Sequence, residues 1–177
     1  MASKNQWTSK HTFNHLWETV CQAVWRKYPN PINPAVIGAD VVERRVENGI
    51  LLSHRLICWK FDLPRLIQPI LGRLNSFYAI EVSEVNIKSK AMVLETKNST
   101  FRSFITLDET LSYHADPKDS SKTLLKQETH LTVLRSFPFH DYFESLLVST
   151  MKTNAEKGLQ ALEWVTDDIE GEISYKN

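Results

Sequence analysis

His11 and His15 stand four residues apart in HTFNH, the spacing at which two imidazoles on one helix could share a metal ion. Asn14 between them is a favoured helix N-cap, so the pair falls across a helix start and need not share a face. No metal is assigned there. Asp108 and Glu109 are neighbours in an extended stretch and so point to opposite faces, poor geometry for paired carboxylates. The chain has no GxSxG, Walker or GxGxxG motif, and only 5 glycines to build a phosphate cradle. Enzyme is the less favoured class.

Two stretches set polar groups among apolar ones. In STMKTNAEKG (149–158), Thr150, Asn154, Lys157 and Gly158 continue a helical stripe that is apolar on both sides. An unpaired buried amide costs roughly 1–3 kcal/mol. Either this part of the helix faces water, or these groups meet the polar part of a ligand. In LPRLIQPILGRL (63–74), Leu63, Leu66, Ile67, Ile70 and Leu71 are apolar while Arg65, Gln68 and Arg73 are not, with Trp59 and Phe61 upstream. One reading is a crossover helix packed on the core. The other is a movable flap resting on lipid headgroups, its arginines towards phosphates.

The elements that must position these residues follow from periodicity. Trp7 to Phe13 reads as a short strand, then Trp17, Val20, Cys21, Val24 and Tyr28 as an amphipathic helix capped by Asn14. KYPNPINP (27–34) ends that helix; Pro29, Pro31 and Pro34 predict a stiff, polyproline-like strut. Residues 35 to 61 read as a hairpin turning at Asn48-Gly49. A short helix opened by Pro64 and closed by Gly72 follows, then strands over FYAIEVSEVNI, AMVLETKNST, FRSFITLDETLSYH and TLLKQETHLTVLR. In the last of these Leu125, Gln127, Thr129, Leu131 and Val133 share one face. Phe139 to Ile169 predicts one long helix with Pro138 in its first turn. Helices on one side of an antiparallel sheet make an α+β fold, and a long helix laid into a coiled sheet can leave a cavity.

The 177 residues suggest one domain, with a core from about 7 to 169. Lys plus Arg equals Asp plus Glu at 21 each, which argues against a nucleic-acid binder. Cys21 and Cys58 form no CxxC and read as buried, inert thiols. MASKNQWTSKH shows no apolar signal core and no Arg-rich presequence, and no window approaches the length of a membrane span.

RKYPNPINPAVIGADV, SHRLICWKFDLP with its following LG, and STMKTNAEKGLQALEWV together resemble the PRELI domain, most closely its slowmo-like branch. The similarity runs from about Trp7 to about Ile169. It implies a seven-stranded curved antiparallel sheet gripping the long C-terminal helix, as in START-like lipid carriers. It implies a carrier that moves single phospholipids between the outer and inner mitochondrial membranes. Such a carrier works in the intermembrane space beside a small twin-CX9C helical partner, touches anionic membranes peripherally and uses no cofactor. Carried over by position, Lys27, Arg55 and Lys157 supply charge for the phosphate and Asn154 hydrogen-bonds the headgroup. Trp59, Lys60, Phe61, Leu66, Ile67, Ile70 and Leu71 form the flap and membrane contact. The branch resembles phosphatidylserine carriers, while a sister branch carries phosphatidic acid and has extra lysines before the flap. This chain reads Trp59-Lys60-Phe61-Asp62 there, which either favours serine headgroups or means that the loop only touches membrane. The alternatives are phosphatidic acid as cargo, an enzyme on the same cavity, or a scaffold that transfers nothing.

Overall fold

The computed structural model describes residues 2–72 and 75–174. Seven strands form one antiparallel sheet: β1 (Ala2–Phe13), β2 (Val36–Glu47), β3 (Ile50–Lys60), β4 (Ser76–Asn86), β5 (Ala91–Asn98), β6 (Ile105–Ala115) and β7 (Thr123–Leu134). Strands β2 to β7 meander in sequence order, and β1 adds to the far side of β7. Helix α1 (Trp17–Arg26) joins β1 to β2, α2 (Gln68–Leu71) joins β3 to β4, and α3 (His140–Ser174) closes the chain. The expected α+β class, the seven strands and the long terminal helix are all present. Its 35 residues make α3 about 52 Å long at ~1.5 Å each.

Strand alternation decides which face the helices cover. β4 and β7 bury every second residue along nearly their whole length. On that inner face lie two apolar clusters. One joins Trp17, Val20 and Val24 of α1 to Met92, Leu94 and Tyr113 of the sheet and to Leu162, Val165 and Ile169 of α3. The other joins Leu63, Ile67 and Leu71 around α2 to Phe77, Ile105, Leu131 and Val133 and to Phe143 of α3. The β2–β3 hairpin turns as expected on Asn48 and Gly49, at φ +51° and +79°, the left-handed pair a two-residue turn requires.

Local expectations fail where long-range partners set the boundaries. β1 starts well before Trp7 because it pairs with β7 from Ala2↔Leu134 to Phe13↔Thr123. Asn14 does not cap α1: Leu16 holds that position without a side-chain cap, and Thr123 Oγ1 bonds to the His15 carbonyl at 2.8 Å instead. The proline segment is a chain of turns and not a strut. Ile32 N–H donates to Asn30 Oδ1 at 2.9 Å, Asn33 N–H to Asn30 O at 3.2 Å and Val36 N–H to Asn33 O at 3.2 Å; the Tyr28–Pro29 peptide is cis. Asparagine turn chemistry overrides the extended bias of the prolines.

Residues 101–104 are likewise a turn and not the start of a strand. Asn98 organises it, donating to Thr100 O at 2.9 Å and Ile105 O at 2.8 Å and accepting from Leu107 N–H at 2.8 Å. The helix expected over 63–74 shrinks to Gln68–Leu71, because Pro64 O first accepts Ile67 and Gln68 N–H in a turn and Gly72 at φ +82° ends it. Arg73 and Leu74 of that stretch lie outside the described residues. Pro138 precedes α3, with Phe139 at φ +56° between them.

His11 and His15 do not face a common metal position; both meet carboxylates of α3. His11 Nε2 lies 3.0 Å from Glu163, and His15 lies 2.9 Å from Glu170, 3.2 Å from Glu163 and 3.6 Å from Asp167. Burial works against the charged imidazole of His15, but Glu170, followed by Glu163 and Asp167, outweighs it and raises the pKa. A raised folded-state pKa adds stability that is complete below the unfolded value near 6.5 and fades as pH rises through the folded value. Thermal unfolding should therefore show a contribution from His15 at pH 6 that is lost towards pH 8. His15→Gln should flatten that part of the profile; an unchanged profile would show that these contacts of His15 add no such stability.

Candidate functional site

The register of the sheet places five polar residues side by side across its inner face. Arg55 pairs with Glu81, Glu81 with Thr96, Thr96 with Glu109 and Glu109 with Thr129. This row crosses β3 to β7 between the two apolar clusters. It needs partners, because buried polar groups without hydrogen bonds are costly.

Arg55 and Glu81 answer each other. The guanidinium Nε and Nη2 lie 2.7 and 2.6 Å from Glu81 Oε1, and both side chains are almost fully buried. The same guanidinium lies 4.8 Å from the centre of the Trp25 ring, which ties α1 to the sheet. Glu109 is anchored through one oxygen: Gln127 Nε2 donates to Oε2 at 2.7 Å and Thr129 Oγ1 at 3.5 Å. Protein surrounds Glu109, yet it keeps some accessible surface, and that surface is cavity wall. Loss of water raises its pKa above the ordinary carboxylate value; Gln127 and Lys27 pull it down and Glu81 pushes it up.

The cavity occupies about 180 Å³ between the middle of the sheet and the middle of α3. Its walls are mostly apolar, including Ile57, Leu107, Leu111 and Leu162, with Lys27, Tyr28, Asn33, Glu81, Glu109, Gln127 and Asn154 among them. A smaller aromatic space of about 50 Å³ adjoins it towards α2, lined by Phe61, Leu63, Leu71, Phe77, Phe101 and Phe143. Trp59, Asn98, Leu107 and Met151 line both.

The sequence-derived residues divide in this geometry. Lys27 caps the end of α1 and lines the cavity, its Nζ 4.8 Å from the centre of the Tyr28 ring. Asn154 lines the opposite wall, together with Gly158 on α3. A Cβ at Gly158 would meet Tyr28 Oη at 3.6 Å and Lys27 Nζ at 3.9 Å, so a larger side chain would enter the space they fill. The polar part of α3 thus faces a cavity through Asn154 and Gly158, while Lys157 is exposed and outside the lining. Arg55 also lies outside the lining, held by Glu81 and Trp25.

Around α2, Ile67 and Leu71 are buried while Leu66 and Ile70 are 48% and 41% exposed. Trp59 and Phe61 pack on Phe77, with ring centres 6.3 and 5.9 Å away, and Lys60 is exposed. Sequence reasoning missed Glu81, Glu109 and Gln127 as site residues. Parity was the available signal, since each shares its strand face with apolar neighbours such as Phe77, Leu111 and Leu131. The two cysteines are free; Cys21 is buried, its thiol pushed up to about 12 by desolvation, while Cys58 is only half-buried.

A curved antiparallel sheet gripping a long terminal helix over an internal cavity defines a helix-grip protein. Solved structures agree: an aromatase/cyclase of Streptomyces sp. R1128 matches with a TM-score of 0.60 at 11% identity, covering 93% of this chain and 94% of that one. At that identity the likeness is one of fold. Residues 18–172 match the PRELI-like family, and the chain belongs to it. Among curated relatives, Protein UPS2, mitochondrial, of Saccharomyces cerevisiae is 33% identical over 161 residues, 89% of this chain and 70% of its own. Protein slowmo homolog of Dictyostelium discoideum is 32% identical over 158 residues, 88% and 68% of the two chains.

Removing one partner of the buried Arg55–Glu81 pair leaves the other charge without compensation, which costs about 3–5 kcal/mol. Arg55→Met should lower stability in urea by that order, and Arg55→Met with Glu81→Leu should recover much of it. A single variant as stable as the parent would show that the pair carries no such constraint.

Proposed function

We propose that this protein is a phospholipid carrier of mitochondria, working in the intermembrane space and carrying one anionic phospholipid at a time, phosphatidylserine before phosphatidic acid. The observation that carries the reading is the cavity: apolar walls for acyl chains, with a cation and amides at one level for a headgroup. Family membership and relatives named UPS2, mitochondrial, and slowmo homolog support it.

The energetics favour a carrier over an enzyme. Two acyl chains expose roughly thirty methylenes at ~0.8 kcal/mol each, an aqueous cost of order 25 kcal/mol. Enclosing the chains removes that cost without any bond being made or broken. The cavity as it stands is below the ~300–1,000 Å³ that drug-sized ligands occupy. Loading therefore requires the aromatic cluster around Phe77 and Phe143 to open, and α2 is the element that moves. The 63–71 segment that includes α2 packs on the core through Leu63, Ile67 and Leu71, while Leu66 and Ile70 face outward to meet the bilayer with Lys60. In this reading contact with the membrane is peripheral; among the described residues no helix is long and apolar enough to cross one. Lys27 receives the phosphate and Asn154 the headgroup. Exposed Lys157 acts at the rim as a lipid enters, and Arg55 shapes the floor through Glu81. A small twin-CX9C helical protein is the proposed partner.

Purified protein with such a partner should move labelled phosphatidylserine or phosphatidic acid from donor to acceptor liposomes; transfer of neither would overturn the reading. Lys27→Glu and Lys157→Glu should slow transfer while leaving helix content by circular dichroism unchanged. Normal transfer by either folded variant would remove that residue's role. Leu66→Asp with Ile70→Asp should lower flotation with anionic vesicles and leave the melting temperature nearly unchanged. Undiminished flotation would return α2 to a crossover packed on the core.

A further inference from the structure

Two acceptor oxygens at the cavity lack donors. Glu109 Oε2 is served by Gln127 and Thr129, but among the described residues Oε1 receives no hydrogen bond. Asn33, 1% exposed, lines the same cavity, and its Oδ1 also has no partner. Lys27 adds a cation without an ion-pair partner among the described residues. The charge of Glu81 is already matched by Arg55 at 2.6 Å. Apart from Glu81, the charges on the lining are therefore one positive, on Lys27, and one negative, on Glu109, which attract each other without forming an ion pair.

We propose that Glu109 is the residue that selects the headgroup, its free oxygen accepting an N–H from a primary ammonium while the phosphate of the same headgroup lies against Lys27. This deepens the carrier reading and rests on it. A headgroup that is phosphate alone puts like charge beside the Glu109 carboxylate in a poorly solvated space, where repulsion is weakly screened. The serine headgroup carries a phosphate, an ammonium and a carboxylate. The first two answer both charges, and the three N–H donors can also reach an acceptor such as Asn33 Oδ1. The carboxylate must turn away from Glu109 towards a donor such as the Asn154 amide. Position supports the choice. Glu109 stands in the polar row between Thr96 and Thr129, its side chain fixed on one side by Gln127, so the free oxygen is held in place and not merely present. Desolvation disfavours the ionised carboxylate of Glu109, and an ammonium beside it would favour it.

The test compares transfer of phosphatidylserine and phosphatidic acid with identical acyl chains by the full chain and by Glu109→Gln. Hydrogen bonds to charged groups imply that the serine-to-phosphatidic-acid ratio falls about tenfold or more, through slower serine-lipid transfer. Glu109→Asp should keep part of the preference. An unchanged ratio in folded Glu109→Gln, or an equal loss for both lipids, would overturn the assignment while leaving the carrier reading intact. Transfer of neither lipid by the unaltered protein would overturn both. A second arm needs no variant: phosphatidylserine with its amine acetylated should move as poorly as phosphatidic acid. Transfer equal to that of the free amine would sink the proposal.

Discussion

A row of polar side chains crosses the floor of an otherwise apolar core, and the rest of the molecule is arranged around satisfying it. Arg55, Glu81, Thr96, Glu109 and Thr129 are brought level by strand register alone. A carboxylate taken out of water must find a cation or donors, or it gives up its charge. Glu81 takes the first route with Arg55. Glu109 finds donors for one oxygen and leaves the other at the cavity wall. The sheet cannot close down on such a row as it does on the leucines and phenylalanines at either end. A cavity at this level is the physical result.

The two apolar clusters then take different parts. The α1 cluster welds the C-terminal half of α3 to the sheet through Trp17, Val20, Val24, Leu162 and Val165, reinforced from outside by the contacts of His11 and His15 with α3. This end behaves as a fixed wall. The α2 cluster is held by aromatic rings and by a turn and a four-residue helix that leave Leu66 and Ile70 exposed. In the carrier reading this is the end that opens. A wall joined to α1, a polar floor and an opposite end that can open are what a carrier needs to hold a headgroup while admitting chains.

Much of this was legible in the amino-acid order. The seven strands, the hairpin at Asn48-Gly49 and the long helix followed from periodicity, and the RKYPNP and NAEKG strings pointed to the family. Lys27 and Asn154, to which those strings pointed, line the cavity. The polar row was harder, because a glutamate at an inward strand position looks like any other charged residue until its neighbours are aligned across the sheet. Asp108 and Glu109 were correctly placed on opposite faces, but only register shows that Glu109 is opposite Thr96 and Thr129. The failures of local reading share one cause: Asn14, the proline segment and FRSF each yielded to partners distant in sequence or to asparagine side-chain turns. Arg55 likewise reads as a free cation until Glu81, 26 residues away, is seen beneath it.

The central claim is that the space under α3 takes a phospholipid. Native mass spectrometry of the protein after incubation with anionic vesicles measures it most directly. The account predicts one chain carrying one lipid, released on activation with the mass of an intact phospholipid. A chain found only at its bare mass, under conditions that keep the fold, would contradict it.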